Sequence, residues 1–483
     1  MRFDFSFHLS KSNEVLIYVI IMIPINLLHG YQLENYQITR FLHFAYTHLL
    51  FRIKGSQRQK LDRTKKAILL FLVANGVFFG IQIFSFLFWG ISWQFFTILW
   101  WSILASPLFF ILASWIISPF ERLMKWQLIY RANKRVKACS KTKIIGITGS
   151  YGKTSVKEFL TALLKDSFEV ISPIGTHNTL LWISKFILEN LKPSTEVMIV
   201  EMGAYVPGDI QALCEITPPH LAILTGITLQ HLERFGSLDK IIQTKFEIAQ
   251  SLQKGDTLFL DGENENIQTW IARFCQKVEY EVQAIKDLPV RYFPDFQGIS
   301  FQFQGEEYHT RLLGKHSAKN LSLALAVALK LWIYPSELQK RVEAIPFVNH
   351  RLELLYNEHT GVYVLDDSFN GNIEWVKTTV DLLKNTEFQG KKIYLTPWLV
   401  ELGEKSEEIH FQIGKMLADA VDLVLLIKNP WTLKIQEGLL SEGFEISKIT
   451  MFETSTEAHE KVGMFANRGD LIVFQNDLTD NYF

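Results

Sequence analysis

Hydrophobic and polar positions divide the chain into two parts with different patterns. In the first part, residues 67–89 and 95–117 are apolar runs without a charged side chain, and only residues 90–94 separate them. Each run is long enough to cross a hydrocarbon core of about 30 Å as a helix. The pattern therefore predicts a helical hairpin in a membrane. From residue 141 onward, short β-rich runs alternate with helical periodicity, which predicts an α/β fold with a mostly parallel sheet.

A third apolar run, residues 15–28, has 14 residues and contains Pro24. This length allows a short span, and an interfacial segment is the alternative. A cleaved signal peptide is disfavoured because no small-x-small cleavage site follows the run. The two longer runs are too long and too apolar to be favoured as core helices of a soluble domain.

Basic residues flank the predicted hairpin on both sides. They are Arg52, Lys54, Arg58, Lys60, Arg63, Lys65 and Lys66 before it, and Arg122, Lys125, Arg131, Lys134, Arg135, Lys137, Lys141 and Lys143 after it. Basic flanks favour the cytoplasmic side. We therefore expect a multi-pass protein of a bacterial inner or plasma membrane, with residues 52–66 and 120–483 in the cytoplasm.

Composition adds little to this division. The net charge of −1 indicates no class of partner, and we expect no nucleic-acid partner. The three cysteines are far apart, so they predict neither a disulfide framework nor a zinc site, and they favour a reducing compartment. At 483 residues we expect about three domains: a membrane region over 1–140, a central domain over 141–345 and a C-terminal domain over 346–483.

The stretch GITGSYGKTS at 146–155 has the order of a buried strand, a glycine turn and a helix start. Backbone N–H groups converge in such a turn, so it favours a polyphosphate such as that of ATP. Lys153 would reach the β- and γ-phosphates, and the Thr154 hydroxyl would ligate Mg²⁺. Gly146 stands too far from Gly152 for the usual spacing, so the fit is to a TGxxGKT variant. The candidate phosphate-binding positions are Thr148, Gly149, Ser150, Gly152, Lys153, Thr154 and Ser155.

Further motifs follow in order: EMGAYVPGDI at 201–210, ILTGITLQHLERFGSLDKIIQTKFEI at 223–248, GKHSAKNLSLALAVAL at 314–329, HRLELL at 350–355, LDDSFNGN at 365–372 and VELGEKSEEIHFQIG at 400–414. Together with the glycine turn they resemble the Mur ligase family, ATP-dependent enzymes that add amino acids to the cytoplasmic peptidoglycan precursor. The likeness is greatest to the members that add D-alanyl-D-alanine, and it covers about residues 140–470. It implies a P-loop ATPase domain with a parallel sheet, followed by a small Rossmann-like domain.

The resemblance also implies the chemistry. ATP would convert a carboxylate into an acyl phosphate, which an amine then attacks, and two Mg²⁺ ions would neutralise the phosphate charge. Glu201 at a strand end supplies a second oxygen ligand beside Thr154. By resemblance, His231 contacts the second metal, and Lys245 corresponds to a lysine that CO₂ carbamylates. Without the resemblance, a surface histidine and a solvated helix lysine are the alternatives.

Nucleotide contacts follow from the same resemblance. His316 and Asn320, spaced i and i+4 on one helix face, bracket the adenine. Arg351 contacts phosphate, and an Asp of the Asp366–Asp367 pair, with Asp367 as the candidate, holds ribose or helps to orient the nucleotide. Asn178 orients the phosphates or the acceptor, with a turn-forming asparagine as the alternative. Lys153, Lys245, His231 and Arg351 are the candidate catalytic residues.

The chain departs from the family at several positions. Ser317 replaces an Asn, Phe369 replaces a Tyr, residues 396–398 replace Gly-Asp-Met, and residues 474–483 lack a Lys-Gly-Ser-Arg. The amine substrate, an amino acid or a dipeptide, is therefore left open. The predicted membrane helices also stand where soluble members carry a UDP-sugar-binding domain.

About 25 residues separate the apolar runs from the P-loop strand. So short a connection favours a lipid-linked carboxylate acceptor, which would meet the enzyme at high effective concentration. The alternative is that the helices only anchor an enzyme that uses the soluble precursor. Another alternative is a non-catalytic ATP-binding partner that recruits cell-wall enzymes. A transporter is disfavoured because neither hairpin run carries an ionisable residue.

Overall fold

A computed structural model describes residues 64–104, 106–228, 235–275, 279–368, 371–399 and 402–476. The chain divides into two units, residues 1–127 and 128–483. The apolar run at 15–28, His231 and Phe369 lie outside the described residues. The boundaries between the three domains expected from the sequence stay predictions.

The described part of the first unit is helical. Helix α1 is Lys65–Trp89, α2 is Trp93–Leu104, and α3 is Ser106–Ala138, which continues into the second unit. Among the described residues, one helix is long and apolar enough to cross a membrane, Lys66–Trp89. The second predicted span, residues 95–117, falls on α2 and α3, and residue 105 between these helices lies outside the described residues. A hairpin of two membrane spans is therefore not confirmed.

Helices α1 and α3 share a small apolar core. Leu70 of α1 and Phe110 of α3 are buried within it. The Lys66 ammonium lies 3.1 Å from the Glu121 carboxylate, which joins the start of α1 to the middle of α3. Many large hydrophobic side chains in the described part of this unit face outward, and Leu87, for example, is 75% exposed.

The central part of the second unit holds a parallel sheet with strand order β2-β3-β1-β4-β5-β6. Its strands are β1 (Lys143–Thr148), β2 (Val170–Ile171), β3 (Val197–Glu201), β4 (Leu221–Leu224), β5 (Thr257–Asp261) and β6 (Glu281–Ile285). The helices between them are α4 (Lys153–Leu164), α5 (Leu180–Asn190), α6 (Asp209–Ile216), α7 (Leu238–Gln250) and α8 (Glu265–Cys275). Apolar side chains cover both faces of the sheet, as expected for parallel strands.

A small antiparallel sheet follows, with strands β7 (Val290–Tyr292), β8 (Ile299–Phe303) and β9 (Glu306–Thr310), and then helices α9 (Lys315–Lys330) and α10 (Pro335–Glu343). Helix α9 packs along α4, the helix that begins at the glycine turn. Its inner face is almost continuously buried, from Ser317 to Ala328. The packing therefore brings the start of α9 next to the turn.

The C-terminal part forms a second sheet with strand order β10-β11-β15-β12-β13-β14, parallel except for the β10–β11 pair. Its elements are β10 (Glu353–Asn357), β11 (Val362–Asp367), α11 (Ile373–Asn385), β12 (Lys392–Thr396), α12 (Ser406–Leu417), β13 (Leu423–Ile427), α13 (Pro430–Ser441), β14 (Ile449–Phe452), α14 (Ser455–Lys461) and β15 (Leu471–Gln475). The mixed α/β fold with parallel sheets that the sequence predicts is confirmed, and functional residues lie at the carboxyl ends of the strands.

Candidate functional site

The glycine turn joins β1 to α4 at the carboxyl edge of the central sheet. Gly149 has φ +149° and Gly152 has φ +77°, values that side-chain-bearing residues rarely adopt. A Cβ added at Gly149 would lie 2.1 Å from the Thr225 hydroxyl oxygen. The Ser150 amide donates to the Gly226 carbonyl at 2.7 Å, which fixes the turn against the loop after β4. The turn is therefore held in a shape that only glycine permits.

Lys153 opens α4 and folds back over this turn. Its ammonium group donates to the Gly149 carbonyl at 2.8 Å and lies 3.4 Å from the Ser150 carbonyl. Burial lowers the pKa of Lys153, the Glu201 carboxylate raises it, and Arg351 lowers it further. The cation thus sits directly over the predicted phosphate cradle.

Glu201, the last residue of β3, joins the turn to a neighbouring loop. Thr154 donates its hydroxyl to one carboxylate oxygen of Glu201 at 3.0 Å, and the Asn178 amide donates to the other at 2.9 Å. The Glu201 residue is only 2% exposed. Sequence reasoning named these three residues from separate segments, and the structure brings them into one hydrogen-bonded group. Thr148 donates its hydroxyl to the Met202 carbonyl beside this group.

Lys245 of α7 lies on the other side of a small cavity. The cavity has a volume of about 40 Å³, and its lining includes Lys153, Asn178 and Lys245. Burial and the nearby Lys153 cation lower the pKa of Lys245 to about 7, although Asp209, Glu247 and Glu201 oppose the shift. A large fraction of the amine is therefore neutral near pH 7. Only a neutral amine can add CO₂.

His316 and Asn320 lie on the first turns of α9, against the glycine turn. A Cβ added at Gly152 would lie 2.6 Å from the Asn320 side-chain oxygen. The Asn320 amide nitrogen and the His316 Nδ1 are both buried without a hydrogen-bond partner in the described structure. Buried polar atoms are normally paired, so both groups call for a polar ligand. Burial lowers the pKa of His316 to about 3, and Arg351 adds to the shift, so its ring is neutral at pH 7.

Arg351 comes from the C-terminal part and reaches the same region. Its guanidinium carbon lies 5.3 Å from the centre of the Trp375 ring, and that ring contacts the His316 ring edge-on, with centroids 4.2 Å apart. Burial lowers the pKa of Arg351, and the carboxylates of Asp367 and Glu201 raise it. The Arg351 guanidinium therefore interacts electrostatically with both carboxylates, and Trp375 is its aromatic neighbour.

Asp367, at the end of β11, is held in a buried polar network. Its carboxylate accepts from the Gln475 amide at 2.7 Å and from the Thr379 hydroxyl at 3.0 Å. Burial raises the pKa of Asp367 to about 6. The adjacent Asp366 is more accessible and lies 2.7 Å from His350 Nδ1. A ribose contact by Asp367 stays a prediction.

His410 of α12 fixes the loop after β12. Its Nε2 accepts from the Leu399 amide at 2.9 Å, and its Nδ1 lies 2.6 Å from the Ser406 carbonyl, so the Nδ1 carries the proton. Asn476 fixes the same loop from the other side by donating to the Trp398 carbonyl. Sequence reasoning did not assign roles to these residues, because a buried latch leaves no chemical signature in a sequence.

Sequence reasoning also missed Lys157. It lies one turn after Lys153 on α4, and its side chain is fully buried. The i, i+4 spacing from Lys153 was the available signal, because it places both lysines on one face of the helix.

The residues fit the expected ligands. A glycine cradle, a lysine over it and two unpaired buried side chains beside it suit a nucleotide. A hydroxyl oxygen 3.0 Å from a buried carboxylate oxygen suits Mg²⁺, which prefers oxygen ligands.

Residues 147–328 match the family model for the Mur ligase middle domain. The chain therefore contains a Mur ligase middle domain, the domain of ATP-dependent, amide-forming enzymes of peptidoglycan synthesis.

Named relatives agree with this assignment. The chain is 28% identical over 338 residues to the UDP-N-acetylmuramoyl-tripeptide–D-alanyl-D-alanine ligase of Bacillus subtilis, a match that covers 69% of this chain and 73% of that protein. It is 30% identical over 301 residues to the ligase of the same name from Mycobacterium tuberculosis. That match covers 59% of this chain and 58% of the relative, so it spans less than two thirds of the mycobacterial protein.

Solved structures agree on the fold. The MurF ligase of Thermotoga maritima in complex with ADP superposes with a TM-score of 0.62 at 23% identity, over 73% of this chain and 81% of that one. A MurF structure from Acinetobacter baumannii gives a TM-score of 0.64 at 21% identity, over 73% and 78%. The Mur ligase fold that the sequence predicts is thereby confirmed.

The His410 latch predicts a pH dependence of stability. Burial lowers the pKa of His410 below its ordinary value of about 6.5, so the unfolded chain binds more protons in the interval between the two values. Its contribution should be complete above about pH 6.5 and lost as pH falls, because a proton on Nε2 removes the acceptor for Leu399. At pH 7.5, H410Q should cost roughly 1–3 kcal/mol.

Thermal unfolding of the wild type and H410Q between pH 8 and pH 5 checks this expectation. The gap between their midpoints should narrow towards acid. H359Q, at an exposed histidine, is the matched control and should follow the wild type. A gap that stays constant across this range would contradict the assigned tautomer.

Proposed function

We propose that this protein joins a carboxylate acceptor to an amino acid or dipeptide amine, by way of an acyl phosphate, in peptidoglycan precursor synthesis. The observation that carries the proposal is the convergence of Lys153, the Thr154–Glu201–Asn178 group and Lys245 around one small cavity. The named relatives act on UDP-N-acetylmuramoyl-tripeptide and D-alanyl-D-alanine, which makes these the first substrates to test.

In the first step, an oxygen of the acceptor carboxylate attacks the γ-phosphorus of ATP, and the bond from that phosphorus to the β–γ bridging oxygen breaks. The products are an acyl phosphate and ADP. The Lys153 ammonium group would exchange its contacts with the Gly149 and Ser150 carbonyls for hydrogen bonds to the phosphate oxygens. Arg351, from the C-terminal part, would contact the same oxygens. Both cations stabilise negative charge that moves onto the leaving ADP. His316 and Asn320 would bond the nucleotide through their unpaired nitrogens.

In the second step, the amine nitrogen attacks the acyl carbon, the bond from that carbon to the phosphate oxygen breaks, and the nitrogen gives up a proton. The products are the amide and inorganic phosphate. The loop at Trp398 and Leu399, which His410 and Asn476 fix, lies where the chain departs from the family. We infer that this loop helps to select the amine.

Thr154, Glu201 and a carbamylated Lys245 would hold Mg²⁺, with a second ion beside His231. Bound Mg²⁺ neutralises phosphate charge and orients the phosphate groups. Three observations support the carbamylation of Lys245: the side chain is buried, its pKa is about 7, and it lines the cavity.

The first unit would anchor the enzyme in the bacterial inner membrane, with the catalytic domains in the cytoplasm. The apolar 24-residue helix and the many exposed hydrophobic side chains around it support this role. A membrane anchor favours a lipid-linked acceptor, with a soluble acceptor as the alternative. A purely non-catalytic role is not favoured, because Lys153 and Lys245 line one cavity and Glu201 accepts a hydrogen bond from Asn178 of the same lining.

The proposal is tested with the full chain in detergent, ATP and Mg²⁺, and D-alanyl-D-alanine as amine. UDP-N-acetylmuramoyl-tripeptide and its lipid-linked counterpart are supplied as separate acceptors. The amide product, detected by mass spectrometry, and ADP should form together, faster on the lipid-linked acceptor. K153A should lower the rate at least about 100-fold, because it removes the cation over the phosphates.

K165A, an exposed lysine that caps the same helix, is the matched control and should keep the wild-type rate. Normal turnover by folded K153A would contradict the phosphate-site assignment. A preference for the soluble acceptor would contradict the lipid-linked one.

Lys245 has its own prediction. K245A should be nearly inactive, and acetate or formate should restore part of the rate by supplying the missing carboxylate oxygens. K240A removes an exposed lysine from the same helix and should behave as the wild type. A fully active K245A enzyme, or one that short carboxylates do not rescue, would exclude the carbamate.

The membrane proposal predicts where cysteines can be labelled. I91C, at a 78% exposed position between α1 and α2, should react with an impermeant thiol reagent applied to intact cells. S140C, at an exposed position after α3, should react only in lysed cells. The wild type is the background, since Cys139 and Cys214 are buried. Reversed labelling would overturn the topology.

A further inference from the structure

Lys157 is a buried lysine that the proposed chemistry leaves unused. Lys157 lies on the same face of α4 as Lys153, within the apolar side of that helix. A lysine loses much favourable hydration when its ammonium group is buried, so such a position needs compensating partners. The partners identify what the side chain does.

Two carbonyl groups of the loop after β2 accept from the Lys157 ammonium group. The Pro173 carbonyl lies at 2.7 Å, and the Gly175 carbonyl is the second acceptor. The cation also lies 3.2 Å from Glu158 and 4.0 Å from the Glu201 carboxylate. Lys157 therefore connects the P-loop helix to the loop and to the end of β3.

The loop that Lys157 holds carries Asn178. The Asn178 side-chain amide donates to the Glu201 carboxylate at 2.9 Å, and the Asn178 backbone carbonyl accepts from the Gly203 backbone amide at 3.1 Å. Residues 174–177 of the same loop are exposed, and the His177 ring stacks on Trp182 of α5 with centroids 4.2 Å apart. Hydrogen bonds at Pro173, Gly175 and Asn178 connect the loop to α4 and β3.

We propose that Lys157 is a positioning residue for the metal site. Its ammonium group clamps the 173–178 loop, so that Asn178 meets one Glu201 oxygen while Thr154 meets the other. The two contacts hold the carboxylate in one orientation, ready for Mg²⁺. This inference rests on the proposed function, since it concerns the same site.

The test compares K157M, which keeps the aliphatic length without charge or donors, with K157R, which keeps both. K165M is the matched control on the same helix. Mn²⁺ binding to the full chain is measured by electron paramagnetic resonance with a non-hydrolysable ATP analogue, without acceptor or amine. Residues behind metal ligands typically change metal affinity about 10–100-fold. K157M should weaken Mn²⁺ binding by about this factor, and K157R should recover most of it.

Two further measurements separate positioning from general damage. Hydrogen exchange should rise in K157M over residues 173–178 and stay unchanged in β15. In ATP hydrolysis, the KM for Mg²⁺ should rise more than kcat falls. If K157M does not fold, K157Q takes its place under the same criteria.

Unchanged Mn²⁺ affinity in a folded K157M or K157Q chain would overturn the inference, as would faster exchange throughout the protein. The binding measurement needs no acceptor. A chain that shows the expected loss of Mn²⁺ affinity but ligates nothing would support the role of Lys157 while defeating the proposed ligase activity.

Discussion

The buried carboxylate of Glu201 is the constraint on which the rest of the site depends. A carboxylate that is 2% exposed has lost most of its water, and this loss must be offset by hydrogen bonds and opposite charge. Thr154 and Asn178 supply the hydrogen bonds, and the Lys157 ammonium group lies 4.0 Å away. Removing one partner of a buried charge pair commonly costs about 3–5 kcal/mol.

Three segments must therefore take their positions together. The end of β3 carries this carboxylate, and the first turns of α4 and the loop at 173–178 both contact it. Parallel pairing of β1 with β3 brings two of them to one sheet edge, since Ile147 pairs with Glu201. The loop then joins them through side-chain contacts. The buried Glu201 carboxylate thus fixes the relative positions of segments that strand pairing brings to one edge of the sheet.

The nucleotide region depends on a second group of contacts, between the central and C-terminal parts. His316 of α9 and Trp375 of α11 meet ring to ring, and Arg351 lies over the same tryptophan. In this packing, His316 Nδ1 and the Asn320 amide nitrogen are buried without a protein hydrogen-bond partner. The region is therefore preorganised for a polar ligand.

The sequence by itself determined the family, the alternation of strands and helices and most of the chemical groups of the site. The glycine turn, Lys153 and the strand-end Glu201 are recognisable because phosphate chemistry requires these residue types in a fixed local order. Such local constraints are legible in a linear pattern. The first apolar helix is likewise determined by its run of uncharged residues.

Only the tertiary structure decided which of these groups act together and which residues support them. Lys157 looks like one more helix lysine until the loop after β2 folds over it, and His410 and Gln475 gain their roles from strands and loops far along the chain. The physical reason is that burial and hydrogen bonding between distant segments set these roles. A linear pattern records residue type and spacing, whereas burial exists only once the segments have packed.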